Sequence, residues 1–522
     1  MCTSAGSGYA ADAQEFFKEI CVKKIFLLSL VLVSLLSNLA VAQTPAPAPK
    51  PRPDYEVPIV NKKLANGLEV IILRDTSVPL ATVELAVRNG SFTEPPELNG
   101  LSHLYEHMFF KTNYARLLRE CEPFVLRGGV NPICDEPMRL RTQIGDVSYL
   151  KTASSLGINF NGTTREEVVN YYFVTTSPYI ETALRLINDA VRYPMFDETE
   201  FAEEKSVVLG ELDRQEANPY SYLFDATNDK LFYKYPSRKK PGGTRQTVAA
   251  ATTAQMRLIQ SRYYHPNNAA IVVTGDVDPD QIVKTVERVM GSWAPRPVDP
   301  FKEFPLVEHP PLPRSEATII EKNVGDNGDS SDQNVFIQIG WHGPSIGKDD
   351  ASTYAADVFS YILTQPDHRF QRNLVDSGLA SAAAINYYTQ RNVGPITIFM
   401  ITTPEKAKAA LKAVYAEVAK FGDPAYFTDE ELENSKNILE ANDLFDREKP
   451  SEYAHTLGFW WSSTGIEYFR GYHKNLRAVS RADINRYVKN YITGKPHVGI
   501  ALLSPQAKTA AKLTESDLTG EN

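Results

Sequence analysis

"VELAVRNGSFTEPPELNGLSHLYEHMFF", from Val83 to Phe110, reads as a strand, a turn-rich loop and a helix in that order. The first residues are apolar and partly β-branched, and they stop at the turn-favouring pair Asn89-Gly90. From Leu101 onward apolar residues recur at helical spacing. Far downstream, "NVFIQIGWHGPSIGKDDASTYAADVFSYIL", from Asn334 to Leu363, repeats strand, loop and long helix. Each half also closes on a helix and then an apolar strand, "AAIVVTGDV" (Ala269 to Val277) in one and "HVGIALLSP" (His497 to Pro505) in the other. The pattern predicts two similar α/β domains.

The wider chain is consistent with that division. Its 522 residues exceed one compact domain, and 43% hydrophobic with 23% charged residues suits large buried cores. A net charge of -9 with no long basic run excludes the electrostatic footprint of a nucleic-acid binder. Between Ala294 and Arg314 the chain holds seven prolines, too many for regular structure, which predicts an interdomain linker. The expected layout is a first domain over 57–293, a linker over 294–315, a second domain over 316–508 and a tail over 509–522.

The N-terminal 1–42 reads as a signal region. Lys23 and Lys24 precede the apolar "IFLLSLVLVSLL", and Ala40-Val41-Ala42 places a small-x-small cleavage pattern before Gln43. Residues ahead of Lys23 do not resemble the start of a signal, so Val22 is read as an alternative start. The apolar run is short for a membrane span. A periplasmic or secreted protein beginning near Gln43 is expected, with an uncleaved N-terminal anchor as the alternative. "TPAPAPKPRP", within 43–56, reads as an extended proline-rich spacer.

Of the four cysteines, Cys2 and Cys21 fall before or within the signal, leaving Cys121 and Cys134 in the mature chain. In an oxidising compartment this pair closes a local loop, a disulfide worth roughly 3 kcal/mol in the chain-entropy model. The other reading is two free thiols. Either way, too few cysteines remain for a thiolate zinc cluster.

His103, Glu106 and His107 concentrate the chemistry, in a chain with nine histidines. Positions i, i+3 and i+4 share one helix face, so the two imidazoles can aim at one ion while the glutamate stands beside them. Zinc suits such a pair. The plainer reading is a solvated helix face. A third ligand would decide between them, and "EFAEEKSVVLGELDRQE" offers Glu204 and Glu211, two helical turns apart. Alone, two glutamates on a helix are usually just solvated.

Together these residues resemble the insulinase/pitrilysin family of metallopeptidases, the inverzincins, whose signature is the inverted H-x-x-E-H. The likeness is to the short two-domain type, similar to mitochondrial processing peptidase subunits. It runs from about Val57 to Ser504 and takes in "GLSHLYEHMFFK", "INFNGTTREEVVNYYF", "EEKSVVLGEL" and "YYHPNNAAIVVTGDV". The resemblance implies mainly antiparallel sheets packed with helices, forming half of a clam-shell chamber. It implies one zinc per chain on His103, His107 and Glu211, with Glu106 activating water and Glu204 supporting the site from behind. It assigns Asn161 and Gly162 to an edge strand that pairs with substrate backbone. The implied activity is zinc-dependent endopeptidase action on short or unfolded peptides, within a dimer, because four such domains complete the chamber.

Two departures stand out. The interval from His107 to Glu211 is longer than the family's, and the excess falls near 114–145, around both mature cysteines. Many members also carry an arginine and a tyrosine in the second half, where this chain has Val375 and Ser381, with Arg372 close but out of register. That absence favours a heterodimer with a related chain carrying the pair over a homodimer. Two rival readings remain. Gly343 to Gly347 fits the G-x-S-x-G of serine hydrolases, with Ser345 as nucleophile, although Pro344 suits that strained turn poorly. The chain could also be a non-catalytic scaffold or partner subunit.

Overall fold

The computed structural model describes residues 57–113, 115, 149–324 and 333–521. The signal region, the spacer, Cys121, Cys134 and nearly all of 114–145 lie outside the described residues. The first sheet contains β1 (Ile59–Lys63), β2 (Glu69–Arg74), β3 (Leu80–Val87), β4 (Asn159–Thr164), β5 (Val169–Thr176) and β6 (Ala269–Gly275), in the order β1-β2-β6-β3-β5-β4. The second contains β7 (Glu316–Glu321), β8 (Val335–His342), β9 (Ala382–Tyr387), β10 (Pro395–Thr402) and β11 (Val498–Leu503), in the order β7-β11-β8-β10-β9.

Apart from β1, the two orders are the same. Each sheet has one parallel pair, β2 with β6 and β7 with β11, and its other pairs are antiparallel. The strand–loop–helix repeat read from the sequence is therefore a repeat of topology. The architecture is α/β, with two mixed, mainly antiparallel sheets.

Seven helices position the site: α1 (Leu101–Phe109), α2 (Ile180–Arg192), α3 (Glu198–Ala217), α4 (Pro219–Leu231), α5 (Pro279–Met290), α6 (Asp350–Thr364) and α7 (Pro450–Ser463). Leu104 and Met108 of α1, Ile187 of α2 and Val286 of α5 join Val83, Leu85 and Val87 of β3 in one core. Phe359 and Ile362 of α6 join Ile337 and Ile339 of β8 in another. The opposite sheet faces are covered by exchange. Leu223 and Leu231 of α4, from the first half, pack with Phe336, Val498 and Ile500 of the second sheet. In return, α7 of the second half lies on the first sheet, where Thr274 donates to the Pro450 carbonyl at 2.6 Å and Arg88 sits over the Trp461 ring at 4.0 Å.

This exchange explains why β3 and β6 are buried on both faces and read as nearly unbroken apolar runs. It also explains the exception inside β3. Glu84 is fully buried, and its carboxylate is paired with His455 of α7 and accepts from Asn170 at 3.0 Å.

The proline-rich stretch departs from expectation at one point. Asp299 caps a single helical turn, Pro300–Glu303, by accepting from the Phe301 N–H. Proline at the first helical position costs nothing there, because that N–H would have no helical partner. Among the described residues, no helix is long and apolar enough to cross a membrane.

Candidate metal centre

Helix α1 is set by its entry. Gly100 takes φ 87°, a left-handed conformation that suits glycine. Glu94 folds back from the loop so that one carboxylate oxygen accepts from the Ser102 N–H at 2.6 Å and the other from the Gly100 N–H at 2.8 Å. A carboxylate at this end satisfies amide groups with no helical partner and complements the helix dipole. Leu101, Leu104, Tyr105, Met108 and Phe109 are buried in the core, which turns His103, Glu106 and His107 the other way. At the far end, the Thr112 N–H and hydroxyl both donate to Glu200, tying the exit of α1 to α3. Asp197 caps α3 through the Thr199 and Glu200 N–H groups.

The two helices bring the pattern together. His103 Nε2 lies 3.5 Å and His107 Nε2 3.4 Å from Glu211 Oε2. One ligand-type atom from each of these three residues falls within 4.8 Å of the others. The two imidazoles stand edge to face with centroids 4.9 Å apart. His107 Nδ1 donates to Glu204 Oε2 at 2.9 Å, and Lys111 holds the other Glu204 oxygen at 2.5 Å. The donor set fits zinc: two imidazole nitrogens and one carboxylate are a known catalytic set, and a carboxylate behind one imidazole fixes its tautomer.

Charge is arranged to suit a cation. Burial drives the His103 imidazole down to about 4, so it is neutral and able to coordinate. Burial also opposes a proton on His107, but Glu204, Glu211 and Glu106 outweigh it and raise that imidazole to about 10. The same carboxylates would favour a dication. Burial pushes Glu106 up to about 7, against the pull of His107 and the Thr164 hydrogen bond.

Glu106 is held by β4. Thr164 Oγ1 donates to Glu106 Oε2 at 2.6 Å. Gly162 lies so close that an added Cβ would stand 2.7 Å from Glu106 Cγ. Asn161 accepts from the Gly162 N–H through its own side chain. Strand β4 pairs with β5 on one side and, among the described residues, is the last strand of its sheet.

The remaining candidates lie elsewhere. Val375 packs against the second core, Ser381 donates to the Ile401 carbonyl, and Arg372 is exposed. Ser345 Oγ accepts from the Val393 N–H at 3.1 Å, and among the described residues no histidine bonds to it. Sequence reasoning missed Glu94, Lys111 and Thr164. The spacing of Glu94 before the helix was the only available signal, and an ordinary surface loop would carry the same one.

Comparison with known proteins agrees with this geometry. A family model described as Insulinase (Peptidase family M16) matches residues 69–122 and 142–242, and one described as Peptidase M16 inactive domain matches 250–439. The chain is 23% identical over 449 residues to an uncharacterized zinc protease, YmxG, of Bacillus subtilis, covering 84% of this chain and 97% of that one. A protease from Helicobacter pylori shares the fold at a TM-score of 0.70 and 19% identity, covering 85% of this chain and 99% of that one. The periplasmic protease PqqL from Escherichia coli matches at a TM-score of 0.64 and 15% identity, over 88% of this chain and 49% of that chain. The chain belongs to the insulinase family of zinc proteases, M16, and joins a half that carries the histidine–glutamate centre to a half of the family's inactive type.

Proposed function

We propose that this chain is a zinc-dependent endopeptidase acting on short or unfolded peptides. The observation that carries the reading is the convergence of His103, His107 and Glu211 within 4.8 Å. In this reading those three residues hold zinc, and Glu204, steadied by Lys111, keeps the Nδ1 proton on His107 so that Nε2 faces the metal. Bound there, zinc supplies Lewis acidity toward water and toward a peptide carbonyl. Glu106 is the general base. Thr164 engages one of its oxygens and leaves the other to accept a proton and pass it to the leaving amine. The outer edge of β4 at Asn161 and Gly162 binds an extended peptide backbone in this reading, which requires an unfolded substrate.

The test is peptide hydrolysis by the mature chain, with its zinc content measured. Glu106→Gln is expected to retain zinc and lose turnover by about 10²–10⁴-fold. Full activity in that variant refutes the reading, as does inhibition by a serine-directed phosphonate but not by a chelator. A non-catalytic scaffold predicts no bound zinc.

Two domains per chain lead us to propose a dimer enclosing the substrate. With Val375 and Ser381 at the expected arginine and tyrosine positions, the partner is a related chain carrying that pair. If the lone chain is a fully active homodimer that no neighbouring gene product stimulates, the division of labour is wrong. From the signal pattern we infer a mature protein in the periplasm or outside the cell, with Cys121 and Cys134 bridged. Mass spectrometry of the exported protein reports both its start and the loss of two hydrogens.

A further inference from the structure

The two halves meet at a buried polar joint beside the metal centre. Strands β4 and β5 form a hairpin whose tip is closed by the Arg165 N–H donating to the Val168 carbonyl at 2.9 Å. Glu166 and Glu167 sit on that tip and are buried, Glu167 at 3% exposure. The second half holds both. Glu167 accepts from the Arg391 N–H at 2.8 Å on one oxygen and the Asn392 N–H at 2.7 Å on the other. Tyr388 donates its hydroxyl to Glu166 at 3.2 Å.

The gripping loop is itself braced. Lys239 of the first half, also buried, donates to the Asn392 and Val393 carbonyls at 2.8 Å each and to the Gln390 side chain. Val393 takes φ 63°, which a β-branched residue adopts only when its surroundings enforce it. The enforcing contacts come from the G-x-S-x-G segment. Ser345 Oγ takes the Val393 N–H, the Ile346 N–H donates to the Gln390 carbonyl, and Tyr387 donates to the Pro344 carbonyl at 3.0 Å. The serine motif thus has a structural role.

From Glu167 the hairpin runs back three residues to Thr164, which bonds Glu106, and then to Gly162, which packs against it. We propose that Glu167 is a positioning residue: through its carboxylate, the second half sets the register of β4 against Glu106. The inactive-type half then controls the geometry of the base without touching the metal centre. This rests on the function proposed above, but its physical content, a coupling between loop 388–394 and β4, does not require catalysis.

Glu167→Gln tests it, because the amide keeps the shape but turns a donor toward one of the two N–H groups. Expected results are amide exchange about tenfold faster in β4, in metal-free and zinc-loaded protein alike, with α3 and the second sheet unchanged. Zinc content should hold, and kcat should fall on the order of tenfold with little change in KM. Tyr388→Phe removes one hydroxyl and should move exchange and kcat the same way by less, which covers the case of a Glu167→Gln chain that fails to fold. Unchanged exchange in β4 overturns the proposal. So does faster exchange throughout the protein, or a loss confined to KM. If the parent chain cleaves no peptide, the proposed function fails while the exchange experiment still decides the coupling.

Discussion

If the proposed function holds, replacing Gly162 with valine is expected to disable Glu106 while leaving the proposed metal ligands in place. A Cβ at Gly162 would meet Glu106 Cγ at 2.7 Å, Oε1 at 2.9 Å and Cδ at 3.0 Å. Ordinary contact begins at 3.4 Å, so the glutamate must retreat by about 0.7 Å for the Cβ alone, and further for the two methyl groups. It has little room, because Thr164 two residues along the same strand holds its other oxygen at 2.6 Å. A displacement near 1 Å in a reacting group costs on the order of a hundredfold in rate.

The assay is steady-state hydrolysis of a fluorogenic peptide alongside zinc content. Zinc should stay at the parent level, since the three atoms nearest an added Cβ all belong to Glu106 and none to His103, His107 or Glu211. The expected outcome is a fall in kcat of about a hundredfold for Gly162→Val and a smaller one for Gly162→Ala. A valine variant with unchanged kcat refutes the reasoning. Loss of zinc in step with loss of rate also refutes it, because the displacement would then have reached the ligands.

Two further outcomes are expected. Gly210 lies within α3, and a Cβ there meets nothing within 4 Å among the described residues, so Gly210→Ala should stabilise the protein by about 0.5–1 kcal/mol with activity kept; a lower thermal midpoint would contradict this. His455→Leu strands the buried Glu84 carboxylate and should destabilise by about 3 kcal/mol. Burial opposes the charge on His455, but Glu84 outweighs it and holds the imidazole above its usual value. A base raised in the folded state contributes fully below its unfolded pKa and loses that contribution as pH rises through the folded one. The gap in thermal midpoint between parent and variant should therefore narrow as pH rises above the usual histidine range, and a gap that widens would reverse the assignment.

What could be read from the sequence, and what could not, divides by range. His103, Glu106 and His107 were readable because helical periodicity places i, i+3 and i+4 on one face. Glu204 and Glu211 obey the same periodicity within α3, but nothing local says that α3 faces α1. That link came from the family likeness. The similarity of the two sheets was foreshadowed by the repeated strand–loop–helix pattern, but their strand order was not. The exchange of α4 and α7 between the halves was not, since the apolar residues of a helix do not name the sheet they cover.

Glu84 shows the limit most clearly. In "VELAV" a charged residue between apolar ones reads as the solvated face of a half-buried strand. In the fold it is fully buried, because α7 arrives from nearly four hundred residues away with a histidine to meet it. The Glu166-Glu167 pair is met from the other half in the same manner, Glu167 by the backbone amides of Arg391 and Asn392 and Glu166 by the Tyr388 hydroxyl. Burying a carboxylate without partners costs several kcal/mol, and for each of these charges the other half supplies a partner. The three acids fall on two faces of the first domain, one under α7 and one at the β4–β5 tip. If the first domain were expressed alone, both would lose their partners at once. It is expected to be insoluble or unfolded even though its own sheet, core and metal-centre residues are complete, and a well-folded isolated first domain would show that these contacts are incidental.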